Sequence, residues 1–173
     1  DTFLGESARE AATERLSVIK KKYGIFENLV LFDTTGEAIA SANPKLIGKL
    51  NTKDMDFFQE AIKGKLIISE VFESKVTKAP IFVTSGPVTQ HEDAVAGVLA
   101  GSVRVDWFNK TFIEPIRVGK TGYAYIYDIE GRVIAHHDKT NILKMNIKET
   151  GFGQEMKKKE GFISSPGKML NFK

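Results

Sequence analysis

Apolar residues in the first part of the chain recur at helical spacing. Six of them lie three or four positions apart: Leu4, Ala8, Ala12, Leu16, Ile19 and Tyr23. Residues at these spacings share one face of a helix. Ser7 and Glu10 have the spacing of a capping box, and Gly24 can end the helix in a left-handed conformation. The pattern predicts a helix over residues 1–23 whose apolar face packs against another element.

Short apolar runs bounded by turn residues follow the helix. An Asp-x-x-Gly turn at 33–36 separates two such runs and predicts a β-hairpin, because Asp can bond the backbone of the turn and Gly can take a positive φ. Three later runs predict an antiparallel meander. They are Leu66–Phe72, Pro80–Val88 and Ala94–Val105, with a turn at Gln90–Asp93.

A second, shorter helix is predicted between the hairpin and the meander. Asn51 or Thr52 can cap it, and Gly64 can end it. Its shared face would carry Asp54, Phe57, Phe58, Ala61 and Ile62. Two adjacent phenylalanines on one short helix indicate either core packing or the wall of a binding site.

The chain repeats itself at a shift of 95 residues. The segment 31–40 falls on 126–135, where four residues meet identical ones: Asp33, Gly36, Ile39 and Ala40. The match continues without a gap, since Ile47, Lys49 and Asn51 meet Ile142, Lys144 and Asn146. An ungapped match of this length predicts two copies of one small module, each with a hairpin that turns at Asp-x-x-Gly.

The second copy is predicted to follow a linker helix and to be incomplete. Asp106 can cap a helix over Trp107–Ile113, which Glu114-Pro115 would end. Strands are expected at Gly122–Asp128 and Val133–His136, a helix near Gly153–Lys159, and short strands near Gly161–Ser164 and Met169–Phe172. The first copy contains about two further strands of chain.

These elements predict an α+β fold. We expect a long N-terminal helix followed by two tandem PAS-like modules with antiparallel sheets. The expected boundaries are an N-terminal helix over 1–24, a ligand-binding module over 25–105, a linker helix over 106–117 and a truncated second module over 118–173.

Composition narrows the class of protein. The chain has 173 residues, 25 Lys and Arg against 22 Asp and Glu, and no cysteine. The charges are interspersed, which argues against nucleic-acid binding, and the basic cluster at Lys157–Lys159 fits a solvated helix end. The absence of cysteine excludes disulfides, thiol catalysis and thiolate metal sites.

None of the candidate catalytic and metal-binding motifs has the residues that its chemistry requires. Gly119-Lys120-Thr121 lacks the upstream glycine of a phosphate-binding loop, because Glu114 stands there. His136 and His137 are adjacent on a predicted strand and would point to opposite faces, so we expect surface or inter-module histidines rather than metal ligands. His91 lies in a polar turn. We expect no enzymatic activity, no cofactor and no metal.

A binding module is the remaining interpretation. Apolar pockets with a few placed polar groups are typical of such modules. Thr84 and Ser102 interrupt apolar strands and need partners if they are buried. The candidate ligand-binding residues are Asp54, Met55, Phe57, Phe58, Phe72, Ser74, Thr84 and Ser102.

Together these motifs resemble the double Cache family, the tandem PAS-like sensor region of bacterial and archaeal chemoreceptors and sensor histidine kinases. The resemblance covers nearly the whole chain. It rests on the motifs Asp54–Gly64, Ser69–Ser74 with Pro80–Val88, Gly97–Gly101, and Gly119–Tyr125 leading to Asp128–His136. It implies an extracytoplasmic, periplasmic location, a small-molecule ligand in the membrane-distal first module, and a homodimer through the N-terminal helix. Membrane contact would come only through flanking segments outside this chain. No nucleic-acid partner is expected.

Departures from the family pattern bear on the ligand. In family members that bind amino acids, an arginine grips the carboxylate and acidic residues hold the ammonium. The matching positions here are Met55, Ser74 and Ser102. The resemblance therefore implies that ordinary α-amino acids are not bound. A small organic acid is one candidate, held by hydroxyls with Lys75, Lys78 or Arg104, and an uncharged metabolite or a quaternary amine is another. The alternative functions are a histidine kinase ectodomain and a dimerisation or protein-interaction module without a small ligand.

Overall fold

The computed structural model describes residues 5–90, 94–120 and 122–150. The helices are α1 (Glu6–Tyr23), α2 (Asp56–Ala61) and α3 (Val105–Phe108). The strands are β1 (Phe26–Asp33), β2 (Ala38–Ser41), β3 (Ile67–Ile68), β4 (Phe72–Glu73), β5 (Pro80–Thr89), β6 (Val95–Arg104), β7 (Arg117–Val118), β8 (Gly122–Tyr123), β9 (Tyr125–Tyr127) and β10 (Val133–His136). The predicted α+β class, with an N-terminal helix and antiparallel sheets, is confirmed.

The described residues divide into two compact units. The first contains residues 5–70 and Ile81–Arg104, and the second contains Val71–Pro80 and 105–150. The predicted module boundaries differ from this division in the segment 71–80, and they stay a prediction. Among the described residues, no helix is both long and apolar enough to cross a bilayer.

The sheet of the first unit joins the hairpin to the meander. Five of its strands lie in the order β2-β1-β6-β5-β3, with every neighbouring pair antiparallel. One predicted strand, Leu66–Phe72, is wrong as a continuous element, because only Ile67–Ile68 and Phe72–Glu73 are strands. The Ser69 hydroxyl accepts a hydrogen bond from Val83 N at 2.8 Å, so a side chain takes the place of the backbone partner there.

Helix α1 covers one face of this sheet. Leu16 packs with Leu29 and Leu31 of β1 and with Ile39 and Ala40 of β2. The predicted apolar stripe is confirmed at Ala12, Leu16 and Ile19, whereas Ala8 and Tyr23 are exposed. The helix ends at the predicted residue, since Gly24 has φ 67° and its N–H donates to Lys20 O at 3.0 Å. The predicted capping box is wrong. The cap residue is Gly5, which makes no side-chain cap bond, so Ser7 lies inside the helix.

The two predicted hairpin turns have the same backbone. Gly36 and Gly131 both have φ 85°. The N–H of Gly36 donates to Asp33 O at 3.1 Å, and that of Gly131 donates to Asp128 O at 2.8 Å. After each hairpin an isolated antiparallel bridge closes the loop, Glu37 with Asn51 and Arg132 with Asn146, again 95 residues apart. The internal repeat is therefore a repeat of structure.

Asn51 explains why the second helix begins later than predicted. Its side-chain oxygen accepts from Lys53 N at 2.9 Å, and its amide donates to Thr35 O at 3.4 Å. Asn51 thus ties its turn to the hairpin, and the cap of α2 falls at Met55.

The second unit has two small antiparallel pairs, β7 with β8 and β9 with β10. Its linker helix begins at Val105 and continues as a π-helical turn over Asn109–Ile113, because Glu114 N bonds Asn109 O at 2.8 Å. Asp106 lies within the helix, where its carboxylate accepts from Trp107 N. Several predicted features lie outside the described residues: Leu4, His91 with the rest of its turn at 91–93, the helix Gly153–Lys159, and the strands Gly161–Ser164 and Met169–Phe172.

Candidate functional site

The sheet of the first unit presents its second face to α2. Ser85 on β5 donates its hydroxyl hydrogen to Phe57 O at 3.0 Å. The Phe32 ring on β1 meets the Phe58 ring edge-on, with centroids 6.2 Å apart. Side chains alternate along strands, and paired residues share a face. The residues of this α2 face include Asn28, Val30, Phe32, Val83, Ser85, Val98, Ala100, Ser102 and Arg104.

Helix α2 supplies an apolar wall. Phe57 and Phe58 are buried, with exposed fractions of 6% and 2%, whereas Met55 is half-buried and Asp54 is exposed. The edge-on ring pair adds aromatic attraction to the area buried. Phe58 therefore contributes to the core of the unit as well as to the wall of the candidate site.

Buried polar residues lie at one end of the α2 face. Asn28 is 6% exposed, and its amide nitrogen donates to Ser41 Oγ at 3.1 Å. Ser41 Oγ also accepts from Asn43 N at 3.1 Å, so the serine is fixed by the turn that follows β2. Within the described residues, Asn28 Oδ1 has no hydrogen-bond partner.

Ser102 lies beside Asn28 on the adjacent strand. Its hydroxyl oxygen accepts from Asn28 N at 3.0 Å, and its one hydrogen can be donated either to Asn28 O at 3.3 Å or to Glu27 Oε2 at 3.4 Å. The register of β1 against β6 is irregular between Phe26 and Asn28, and the Ser102 hydroxyl bonds the backbone at that irregularity. The sequence predicts that Ser102 contacts a ligand, whereas in the structure its hydroxyl stabilises the backbone of β1.

Thr84 lies on the opposite face of the sheet from Ser102. It pairs with Gly101, and a side chain at Gly101 would meet Phe26 and Leu29, which belong to the cluster packed on α1. The structure therefore separates Thr84 from Phe57, Phe58 and Ser102.

Phe72 and Ser74 lie on the segment 71–80, which belongs to the other compact unit. Phe72 is half-buried, and Ser74 is 1% exposed. The Ser74 hydroxyl accepts from Val76 N at 3.1 Å and Thr77 N at 3.2 Å, so it stabilises a turn within its own segment.

Three polar residues of the α2 face region were missed by the sequence reasoning. They are Asn28, Ser41 and Ser85. One signal could have found the first of them, because Asn is depleted in strands and Asn28 directly precedes the apolar run 29–32.

The second unit has an aromatic cluster around His136. This residue is 3% exposed, so the expected surface position is wrong for His136, whereas His137 is exposed as expected; the inter-module alternative stays a prediction. His136 Nδ1 accepts from Asp138 N at 2.9 Å, and the Tyr123 ring lies edge-on to the imidazole at 5.1 Å. Burial, together with the charge of His137, lowers the pKa of His136.

The two histidine rings lie close together. Strand β10 ends at His136, so the strand alternation does not apply to His137, and the ring centroids are 4.4 Å apart. The described residues contain no group of three or more His, Cys, Asp or Glu residues that could hold a metal ion.

The family model that describes the Cache domain matches residues 3–168 of the chain. The chain belongs to the Cache domain family. No curated protein sequence matches it. The repeated hairpins and the α2 face described above are thus parts of a Cache fold.

Solved structures with the same fold include sensor domains of receptors and kinases. The ligand-binding domain of the Campylobacter jejuni chemoreceptor Tlp3, in complex with 4-methylisoleucine, is 17% identical, with a TM-score of 0.66 over 80% of this chain and 54% of that one. The sensor domain of the V. cholerae histidine kinase DctB is 17% identical, with a TM-score of 0.66 over 79% and 52%. The domain of the Pseudomonas aeruginosa PAO1 receptor PctC, in complex with GABA, is 18% identical, with a TM-score of 0.58 over 83% and 70%. This Cache chain spans about half the length of the Tlp3 and DctB structures.

Proposed function

We propose that this chain is the extracytoplasmic ligand-sensing domain of a transmembrane chemoreceptor, with a small solute bound on the α2 face of the first unit. Cache membership and sensor domains among the structural neighbours support a sensor role. The observation that carries the site is the combination of Phe58 with the buried amide of Asn28 on one sheet face. No enzymatic role is proposed for this chain.

The ligand we propose is a small organic acid rather than an ordinary α-amino acid. Tlp3 and PctC were solved with amino acids, but the positions that the family resemblance assigns to carboxylate and ammonium recognition are here Met55, Ser74 and Ser102. The hydroxyls of Ser74 and Ser102 bond backbone groups. All buried polar side chains of the first unit, among those described, are uncharged: Asn28, Ser41, Thr52 and Ser85. The half-buried Glu27 carboxylate lies at this site, and its Oε2 is 3.4 Å from Ser102 Oγ. An ammonium bound here would compete with the Ser102 hydroxyl for that carboxylate, and no buried carboxylate is among these side chains to offset the cost of burying the charge.

The carboxylate of such an acid needs a cationic neighbour. Arg104 lies two residues after Ser102 on β6, so it is on the same sheet face, and its guanidinium donates to Gly24 O at 3.0 Å. Arg104 is half-buried, which places a positive charge at the end of the face that also holds Asn28. Lys75 and Lys78 are exposed on the segment of the other unit, and Lys78 lies 4.0 Å from Glu73.

A thermal-shift screen of the purified domain tests this proposal. The probes are small carboxylates, amino acids, amines and sugars, applied to the wild type, Phe58→Leu and Ser102→Asp. A probe at 100 times its dissociation constant stabilises the fold by about 2.7 kcal/mol, a rise of several degrees for a domain of this size. We expect carboxylates to stabilise the wild type and Phe58→Leu to weaken that response. A response to α-amino acids alone would contradict the proposed ligand class.

The full-length context remains a proposal. A histidine kinase ectodomain is the alternative, and the DctB sensor domain has the same fold. Dimerisation through α1 is also proposed, with Val18 and Tyr23 exposed on that helix. An interaction module without a ligand predicts that no probe in the screen stabilises the domain.

A further inference from the structure

The buried amide of Asn28 has a fixed orientation and one unused acceptor. Its nitrogen donates to Ser41 Oγ, which the N–H of Asn43 also bonds, so the carbonyl oxygen is directed away from the serine. That oxygen has no partner within the described part of the chain. An unsatisfied buried acceptor destabilises the free protein, and a ligand that donates a hydrogen bond to it would remove that cost.

The internal repeat shows that the fold does not require this amide. Shifted by 95 residues, Asn28 corresponds to Tyr123, Ser41 to His136 and Asn43 to Asp138. The turn bond is the same in both units, since Asn43 N donates to Ser41 Oγ and Asp138 N donates to His136 Nδ1. In the second unit the Tyr123 ring packs against His136 and fills the equivalent position. The first unit has a polar oxygen there.

We propose that Asn28 binds the sensed solute, with its Oδ1 accepting a hydrogen bond from an O–H or N–H donor on that molecule. Asn28 lies on the same sheet face as Phe32 and two residues before Val30, on the face that α2 covers. This inference rests on the proposed function and sharpens it. The bound acid carries a hydroxyl or amide donor besides its carboxylate.

Pairs of acids that differ by one hydroxyl test the assignment. The probes are L-malate against succinate and L-lactate against propionate, measured by thermal shift and by calorimetric titration. We expect the hydroxy acid of a pair to bind the wild type about tenfold more tightly or better, because one hydrogen bond to a buried acceptor is gained. In Asn28→Leu that preference should disappear.

Stability of the free protein separates binding from folding. Leu removes the unsatisfied acceptor but also the amide N–H that bonds Ser41 Oγ. These two effects oppose each other, so we expect Asn28→Leu to leave the melting temperature of the free domain within about 5 °C of the wild type. A fall of more than about 5 °C would assign Asn28 a structural role and overturn the inference.

Asn28→Ser is the second variant, with the same expected loss of preference for the hydroxy acid. Asn109→Leu is the matched control, because Asn109 in the second unit is also buried with an unpartnered Oδ1. It should keep the preference for hydroxy acids.

Each remaining outcome has a definite meaning. A probe that binds Asn28→Leu as it binds the wild type, or a pair that binds the wild type equally, overturns the assignment of Asn28 and leaves the proposed function intact. If no probe of any class stabilises the wild type, the proposed function fails and the inference fails with it.

Discussion

The two units contain the same hairpin and use the space beside it differently. In both, an Asp-x-x-Gly turn leads into a strand whose last residue, Ser41 or His136, accepts a hydrogen bond from the backbone two residues later. In the first unit a small hydroxyl leaves room for the Asn28 amide, whereas in the second an imidazole and the Tyr123 ring fill the equivalent position. The difference indicates that turn residues preserve the module while a few strand positions decide which side chains line the space beside the hairpin.

The largest expected effects are at the two turn glycines. A side chain at Gly36 would come within 2.6 Å of Lys53 N, a backbone atom, and one at Gly131 would come within 2.6 Å of Asn146 Oδ1, a side-chain atom. Both also have φ 85°, which costs an alanine about 1 to 2 kcal/mol. We therefore expect Gly36→Ala to lower the free energy of unfolding by about 2 to 4 kcal/mol and Gly131→Ala by about half as much. Urea denaturation of the two variants measures this, and equal losses would mean that the two turns are equally adaptable.

A smaller effect is expected at the turn aspartates. Arg132 Nε donates to Asp128 Oδ2 at 2.7 Å, whereas Asp33 bonds Thr35 and Glu37 backbone groups without an arginine. Burial alone would raise the pKa of Asp128, but hydrogen bonds from Arg132 and Glu130 lower it overall. A lowered carboxyl pKa contributes stability that is present above the unfolded value, near 3.9, and is lost as pH falls through the folded value.

Melting curves of the wild type and Asp128→Asn between pH 2 and 7 test this. The wild type should be more stable by about 1 kcal/mol at pH 7, and the two should converge at the acid end. A difference that persists at pH 2 would mean that the carboxylate charge is not the cause.

The smallest effect is a pH dependence specific to the second unit. The pKa of His136 is lowered by burial and by His137, so its contribution to stability is present above the unfolded pKa of about 6.5 and falls as pH drops below it. The slope is at most about 1.4 kcal/mol for each pH unit. Asn can keep the acceptor for Asp138 N, so we expect His136→Asn to flatten the melting temperature between pH 7 and 5. An unchanged slope in the variant would assign that dependence to other groups.

Turn chemistry is the part of the fold that the sequence predicts best. The two Asp-x-x-Gly hairpins and the end of α1 at Gly24 follow from local backbone preferences. Local preferences do not determine which side chains share a face of the sheet, because a register change of one residue moves a side chain to the opposite face. Thr84 pairs with Gly101 and not with Ser102, and this register separates two residues that the sequence grouped together.

The candidate site was predictable only in part for a related reason. Phe57 and Phe58 could be placed on a short helix from their spacing, and both are buried. The hydroxyls of Ser74 and Ser102 bond nearby backbone groups, which a sequence pattern does not reveal. Asn28 becomes a candidate only when the structure shows that its Oδ1 lacks a hydrogen-bond partner among the described residues. The internal repeat then shows that a different residue, Tyr123, stands at the equivalent position.

A crystal structure of the domain with the hydroxy acid that stabilises it most tests the central claim directly. We predict electron density for the acid on the α2 face of the first unit, in contact with Phe58 and with its hydroxyl within hydrogen-bond distance of Asn28 Oδ1. Density for the acid in the second unit, beside Tyr123 and His136, would contradict the claim that the first unit is the sensor site.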